Sequence, residues 1–437
     1  MQGFIVSLVI FTSIFAIFGL GLNLQWGFTG LINFGHVAFM AVGAYATVLL
    51  SLNGVPLILA ALVGGGLAAL LGLLIGLSTL RLRADYLAIV TIGVSEMVRL
   101  VALNEEWLTR GSFGIQRFPL PLANFSPTLL TRLVMILLVA GVVALGYWRL
   151  WKWLRQQVKQ APQSMLTRAS LAALGYLTSL SLLLYGGGVA ARQLKAANVL
   201  PPWLLGVGLL GGLAAIIGLY VWLAQRMSSK MSGWSTGLLL VFTGVLALLG
   251  FWILGYALSA IYNYDSNPSK TGLMVISVLL VALTYWGLER LVNSPWGRIL
   301  KAIREDEEVA KALGKNVFWY KLQSLMLGGL IAGIAGALYA WQLTTVYPDN
   351  FQPLVTFNGW TIVVLGGAGS NAGTLLGSAI FWAYQTVTRF ILGDIVPLDD
   401  ARLGAFRIMV IGLLLMVLMI WRPQGILGKK EELTLGR

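Results

Sequence analysis

A chain of 437 residues, of which 58% are hydrophobic and only 11% charged, with a mean hydropathy of +0.83, has too few polar side chains to cover a soluble globule of its size. Its formal charge of +14 does not mark a nucleic-acid binder, because the basic residues fall in short loops between apolar runs and no basic patch carries stacking aromatics. Cysteine is absent, which removes disulfides, thiolate catalysis and zinc–thiolate sites.

Apolar runs of about 17–25 residues recur from end to end, the length that crosses a bilayer as helix. The alternating short segments of a membrane barrel are not seen. The sequence therefore predicts an all-α, polytopic integral membrane bundle of about 11–13 transmembrane helices. The first run, 4–22, follows no Lys or Arg and precedes no small-residue cleavage pattern, so it reads as a retained helix and not a signal peptide. Further spans are placed at 37–52, 57–79, 86–103, 128–148, 169–186, 200–224, 235–260, 272–290, 318–341, 354–367, 373–391 and 403–421. The loop 149–168 carries Lys152, Arg155 and Lys159. A charged block carries Arg298, Lys301, Arg304, Lys311, Lys315 and Lys321, and the tail carries Arg422, Lys429 and Lys430. Positive charge concentrates on the cytoplasmic side, so these three regions are expected inside and the loops 104–125, 341–353 and 394–400 outside. That places the N-terminus outside and the C-terminus in the cytoplasm.

Two stretches interrupt apolar sequence with polar side chains and glycine: Asn23-Leu-Gln-Trp-Gly-Phe-Thr-Gly-Leu-Ile-Asn-Phe-Gly-His36 and Leu365-Gly-Gly-Ala-Gly-Ser-Asn-Ala-Gly373. Irregular backbone at membrane depth must be buried in protein or line a water-filled cavity, so both are candidates for broken helices beside a substrate path. Asn23, Gln25, Asn33 and His36 either fix the first bend or line the route. Glu96 and Arg99, three residues apart on one helical face, can neutralise each other and so lower the cost of sitting in a low dielectric.

The block Ser294-Pro-Trp-Gly-Arg-Ile-Leu-Lys-Ala-Ile-Arg-Glu-Asp-Glu-Glu-Val-Ala-Lys-Ala-Leu-Gly314 predicts a short amphipathic helix over 297–314. Ser294 can cap it, Pro295 suits its first turn and Gly314 can stop it. Ile299, Ile303, Val309 or Ala310, and Leu313 recur at helical spacing, interrupted by Asp306, while Lys301, Glu305, Glu308 and Lys311 occupy other faces. The acids from Glu305 to Glu308 would be repelled by anionic lipid, so a protein partner suits this helix better than head groups. No nucleotide-binding loop is present: Leu313-Gly-Lys-Asn316 lacks the preceding glycine and the magnesium-binding hydroxyl. ATP hydrolysis by this chain is not expected.

Glu308-Val-Ala310, followed after three residues by Gly314, resembles the EAA loop of ABC-importer permeases, whose short cytoplasmic helix docks into a groove on the ATPase subunit. The string Gly297-Arg-Ile-Leu-Lys-Ala-Ile-Arg-Glu-Asp-Glu-Glu308 is similar to the LivM-type branched-chain amino acid permeases. So are Leu22-Asn-Leu through Asn33-Phe-Gly-His-Val-Ala-Phe39, Leu82-Arg-Ala-Asp-Tyr-Leu-Ala-Ile-Val-Thr-Ile-Gly93 continuing to Glu96 and Arg99, Val363-Val-Leu-Gly-Gly-Ala-Gly-Ser370, and Arg422-Pro-Gln-Gly-Ile-Leu-Gly428. The resemblance covers residues 1–120 and 272–430, and 149–270 departs from it. It implies N-terminal permease helices over 1–148, an extra transmembrane insertion over 149–271, and C-terminal permease helices over 272–437 that carry the coupling helix. At Asn358 the family more often has an acid, and Val309 replaces the second residue of the EAA triplet on what is expected to be the buried side.

What the resemblance implies is a permease of a prokaryotic inner membrane, embedded in lipid. Its partners would be a second, LivH-like permease, two cytoplasmic ABC ATPases that use ATP and magnesium, and an extracytoplasmic substrate-binding protein. The chain itself would bind no cofactor, metal or nucleic acid. The cargo would be a branched-chain or other neutral, hydrophobic amino acid, with urea or an amide the alternative. ATPase coupling would fall on Gly297, Arg298, Arg304, Glu305, Asp306, Glu308, Ala310 and Gly314. The translocation path would draw on Asn23, Gln25, Asn33, His36, Glu96, Arg99 and Asn358. Two other classes compete. An ion-coupled secondary transporter would use Glu96, His36 and Asp85, but no internal two-fold repeat is evident. A membrane enzyme acting on lipid would need a cluster of polar groups at one membrane face, which a single histidine and scattered acids do not supply.

Overall fold

A computed structural model describes residues 2–80, 84–159 and 250–395 and parts of 404–428. Its elements in chain order are α1 (Gln2–Asn23), a π-helical turn (Leu24–Phe28), α2 (Val37–Leu52), α3 (Leu57–Thr79), α4 (Ala84–Asn104), α5 (Glu106–Thr109), β1 (Ile115–Gln116) and α6 (Leu129–Lys159). After these come α7 (Gly250–Tyr262), α8 (Pro268–Asn293), α9 (Pro295–Glu305), α10 (Glu307–Ala312), α11 (Val317–Leu343), β2 (Thr345–Val346), α12 (Pro353–Gly366) and α13 (Asn371–Ile395). Among the described residues six helices are long and apolar enough to cross a membrane, or seven if the bent pair α12–α13 is one span. This is a polytopic helical membrane protein. The predicted spans 169–186 and 200–224, most of 235–260 and most of the basic tail lie outside the described residues. The stretch 149–159, read from sequence as loop, instead prolongs α6; its Lys, Arg, Gln and Leu residues are good helix formers.

The chain divides into two compact units: Met1–Val139 with Ser259–Tyr384 and Ile411–Arg437, and Ala140–Leu258 with Gln385–Val410. In the second, the α7 backbone at Gly250 lies against the Tyr147 hydroxyl, where a β-carbon would come within 2.5 Å. Trp252 meets Tyr256 edge to face at 4.8 Å.

The first unit is built around α1. Of its most apolar stretch 72% is buried, and 67% of that of α11, against 6% for Leu129–Arg149. A helix apolar on every side can face lipid or core, and these shares separate the two cases. α1 packs against α8, α11 and α12, while α2, α3 and α11 form a second close-packed group. Small residues let these backbones touch where hydrophobicity alone cannot distinguish helix from lipid. A β-carbon on Gly43 would lie 2.1 Å from the Gly333 carbonyl oxygen, and one on Gly336 would lie 2.0 Å from that of Met40.

Hydrogen bonds fix which element ends share one end of this unit. The start of α1 meets the end of α11, where Gln342 Nε2 donates to Ser7 Oγ at 2.9 Å. At this same end β1 pairs antiparallel with β2, Ile115 opposite Val346 and Gln116 opposite Thr345, so the loops after α4 and α11 are joined. The far end of α1 opens into the π turn, beside α9.

Candidate functional site

The first polar stretch does not leave its helix at residue 22. α1 continues as a π turn to Phe28, and residues 29–36 then run back without helix as far as α2. Asn23, Gln25, Asn33 and His36 are all at most 1% exposed, and their polar atoms hold this bend. Gln25 Nε2 donates to the Leu325 carbonyl at 3.0 Å and Gln25 Oε1 accepts from Asn33 Nδ2 at 2.9 Å. Asn33 Oδ1 accepts the Gly35 N–H at 2.9 Å, and the Asn33 carbonyl accepts Trp360 Nε1 at 3.1 Å. His36 Nε2 lies 3.2 Å from the Phe18 carbonyl, which puts residues 33–36 alongside the last turns of α1. Three buried hydroxyls that sequence reading passed over complete the bend. Thr91 Oγ1 accepts the Phe34 N–H at 3.2 Å, Thr356 Oγ1 accepts that of Val37 at 2.9 Å, and Ser324 Oγ lies 2.7 Å from Thr29 Oγ1. Non-helical backbone inside a membrane must find partners in protein. A Thr or Ser within an apolar span is the sequence signal for such partners, though many such hydroxyls bond their own helix.

The second polar stretch meets the first. Asn23 Oδ1 accepts the Gly369 N–H at 2.9 Å, and Asn23 Nδ2 donates to Asn371 Oδ1 at 3.3 Å. Asn371 Nδ2 in turn donates to Glu289 Oε2 at 3.1 Å, a carboxylate that sequence reading did not single out. The loop turns α12 into α13 through 117°. Ser370 starts α13, its Oγ accepting the Gly373 N–H at 3.0 Å, as an N-cap does. The tail stretch 424–428 closes on this loop through its backbone: Ile426 N–H donates to the Leu365 carbonyl at 3.1 Å and Leu427 N–H to that of Gly366 at 2.9 Å. The clasp demands glycine. Gly367 has φ +112° with a would-be β-carbon 2.5 Å from the Gly428 nitrogen, and Gly425 has φ +76° with one 2.5 Å from the Gly367 Cα.

The single helix expected over 297–314 is two helices. Asp306 adopts an extended backbone and caps the second, its carboxylate accepting the N–H groups of Glu308 and Val309 at 2.9 and 3.0 Å. A short carboxylate that offers the backbone such bonds ends one helix and starts the next. Ser294 does not cap α9: its hydroxyl donates back to the Leu291 carbonyl at 2.6 Å. Gly314, at φ +73°, does end α10. Gly297 presses on the end of α8, where a β-carbon would lie 2.1 Å from the Val292 carbonyl oxygen. Ile303, Ala310 and Val317 form a small core with Ile299 and Tyr320 against it. Val309 and Leu313, expected on the buried side, are instead 54% and 71% exposed: Ala310 continues the buried face of Ile303 seven residues earlier, which leaves Val309 about 100° off it, and Leu313 lies past the last helical residue, Ala312. With the exposed Arg298, Glu305, Asp306, Glu308 and Trp319 they give this end of the unit a surface of mixed charge and apolar contact. Arg304 faces the other way, donating to the Gly27 carbonyl of the π turn.

Glu307 pairs with Lys321 and, at 3.1 Å, with Lys311, which also reaches Glu308 at 3.0 Å. Burial pushes the Glu307 carboxyl up, but the hydrogen bonds and charges of Lys321 and Lys311 outweigh it and hold the group below the usual carboxylate range. A carboxylate depressed in the fold stabilises above its unfolded pKa of about 4.3 and loses that contribution as pH falls through the folded value. Hydrogen exchange of the α10 amides, corrected for intrinsic rate, should therefore quicken between about pH 5 and pH 3. Glu307→Gln should shrink the transition, leaving the part that belongs to the Asp306 cap, and an unchanged profile in that variant would refute the assignment to Glu307.

Glu96 and Arg99 do pair, and Arg99 reaches beyond its helix. Its guanidinium meets Glu96 at 2.6 Å and, across to the loop after β2, Asp349 at 3.0 Å. Asp349 is 63% exposed and Arg99 only 18%, so the two bonds differ in worth. Asp349→Ala should cost about 0–1 kcal/mol, the range of an exposed pair, whereas Arg99→Ala removes both and should lower the thermal midpoint further. Equal midpoints would show that α4 is not pinned this way. Asn358 lies half-buried on α12, and the side chain of Asp85 lies outside the described residues.

A buried first helix ending in a broken turn, a tail clasped on a bent helix pair and a charged helix pair meet at one end of this helical membrane unit. A family model described as branched-chain amino acid transport system, permease component, matches residues 4–153 and 164–419, and the chain belongs to this family. The chain is similar to the high-affinity branched-chain amino acid transport system permease protein LivM of Escherichia coli (strain K12), 26% identical over 423 residues, which are 97% of this chain and 69% of that protein. It is also similar to the probable LivM permease of Methanocaldococcus jannaschii, 29% identical over 46% of this chain and 59% of that one. The LivH permease of Escherichia coli (strain K12) is 27% identical over 42% of this chain and 54% of its own. No solved structure matches.

Proposed function

We propose that this chain is the permease subunit of an ATP-driven importer that carries branched-chain or other neutral, hydrophobic amino acids into the cytoplasm. The observation that carries this reading is the helix pair α9–α10, which presents Glu305, Glu308, Val309 and Leu313 to solvent at one end of a membrane bundle. Mixed charge around exposed apolar side chains suits a protein groove, and the chain has no phosphate-binding loop of its own. Two ATPase subunits using ATP and magnesium would dock there. That end would be cytoplasmic, in keeping with its basic residues, and the β1–β2 end would face an extracytoplasmic binding protein. The similarity to both LivM and LivH permeases supports a pore completed by a second permease. Residues 149–271 would add transmembrane helices, and the chain would hold no cofactor or metal. The bend residues Asn23, Gln25, Asn33 and His36, with Glu96, Arg99 and Asn358, would border the path or fix its walls. A urea or amide permease is the alternative cargo assignment within the same architecture.

The test is purification from the native membrane in mild detergent, followed by identification of whatever stays bound and by uptake measurements in proteoliposomes. A second polytopic permease with Walker-motif ATPases, and ATP-dependent uptake of leucine, are the expected results. Recovery of the chain alone, with uptake that follows an ion gradient and ignores ATP, would sink the reading in favour of a secondary transporter. ATP-dependent uptake of urea but not leucine would reassign the cargo only.

A further inference from the structure

We propose that Arg304 is the positioning residue that links the ATPase-docking helices to the broken end of α1, a role that rests on the functional reading above. The resemblance placed Arg304 with the residues that meet the ATPase, but its guanidinium donates to the Gly27 carbonyl inside the π turn. The contact is built from both sides. Gly30, in the left-handed region at φ +78°, lies beside Arg304: a β-carbon there would be in ordinary van der Waals contact, 3.5 Å from the Arg304 Cα and Cγ. One turn earlier on α9, Lys301 holds its ammonium 5.6 Å from the centre of the Phe28 ring. A helix end leaves its last carbonyls without partners in the helix, and a charge-assisted bond from arginine is a strong way to satisfy one.

What makes this contact a lever is where the π turn sits. Gln25 ties it to α11 at Leu325 and to Asn33 of the return segment, and Thr29 ties it to Ser324. Asn23, at its start, ties it to Gly369 and Asn371 between α12 and α13. π turns inside helices are rare and recur at functional positions. A displacement of α9 is therefore delivered through Arg304 to one turn that holds α11, residues 33–36 and the 366–371 loop together. Exposed Glu305 and Glu308 face the docking side while Arg304 faces the bundle, so contact with the ATPase and transmission into the membrane fall on different side chains.

The assembled complex in proteoliposomes tests this, with wild type, Arg304→Gln, Arg304→Lys and Gly30→Ala compared for ATPase retained, ATP hydrolysed and leucine accumulated. Arg304→Gln should retain its ATPase and hydrolyse ATP within about twofold of wild type, while leucine moved per ATP falls about tenfold, as expected when one positioning bond is lost. Arg304→Lys keeps a donor and should recover much of that ratio. Amide exchange at residues 24–31 should quicken in Arg304→Gln and return toward wild type in Arg304→Lys, which a docking residue would not produce. An unchanged leucine-to-ATP ratio in Arg304→Gln overturns the proposal, and so does loss of the ATPase, which would return Arg304 to the docking surface. Should the Arg304→Gln chain fail to fold, Gly30→Ala decides, since a side chain at φ +78° strains the turn that seats this contact, and an unchanged ratio there is equally fatal. A wild-type complex without ATPase or leucine uptake would bring down the functional reading, and this inference with it.

Discussion

Gly336→Leu should abolish recovery of the folded chain, the largest loss of stability expected from a single change in the first unit. A β-carbon at 336 would stand 2.0 Å from the Met40 carbonyl oxygen, 2.9 Å from its carbon and 3.0 Å from the Ala44 nitrogen. All three are backbone atoms of α2, so no rotamer change relieves the clash and the two helices must part. Parting them also opens the neighbouring contact, where Gly43 meets Gly333. Overpacking a close-packed interior typically costs 1–3 kcal/mol and here, against rigid backbone, should exceed about 3 kcal/mol. Gly66→Leu is the control: it is on α3, and a β-carbon there meets nothing within 4 Å. Size-exclusion profile and thermal midpoint in detergent provide the readout. A monodisperse Gly336→Leu protein that melts with wild type would show that α2 and α11 do not touch at this glycine.

The second large effect should come from Gly367→Val, with transport lost and the bulk of the bundle intact. Valine at φ +112° is strained by about 1–3 kcal/mol, and its side chain would meet the Gly428 nitrogen at 2.5 Å and the Gln424 carbonyl at 2.9 Å. The expected result is an open clasp and weakened support for Asn23 through Gly369. Leucine uptake should drop by more than about tenfold, on the scale that small misplacements cost, while the thermal midpoint falls much less than in Gly336→Leu. Gly425→Val attacks the same clasp from the tail and should give the same phenotype. If both valine variants transport like wild type, the clasp plays no part in function.

Much of this was legible in the residues, and unevenly so. α3 was read at its observed limits because an uninterrupted apolar run is bounded by Pro56 on one side and by Arg81 on the other. Gly314 was read as a stop because only a left-handed residue ends a helix that way. Asp306 was noticed as an interruption but not as an end, although acids at 307 and 308 are what the first turn of a new helix favours. Of the neighbours Val309 and Ala310, only packing decides which faces inward, and it is Ala310. The direction of Arg304 was beyond sequence, since the facing carbonyl belongs to a residue 277 positions away. So was the closing of residues 424–428 on the 365–370 loop, because backbone hydrogen bonds carry no side-chain signature.

The Asn23–Asn371 contact spans 348 positions, and the loop that holds Asn371 is itself closed by residues 424–428. At translation speeds of about 5–20 residues per second, the end of the first helix waits on the order of tens of seconds for its partners to leave the ribosome. Throughout that interval Asn23 lacks Gly369 and Asn371 and Gln25 lacks Leu325, with only Asn33 of its partners made early. The turn at the end of the first helix is thus completed only after residues 424–428 are made, and ribosomes stalled before residue 424 should leave chains whose 365–370 loop is unclasped and more open to proteolysis.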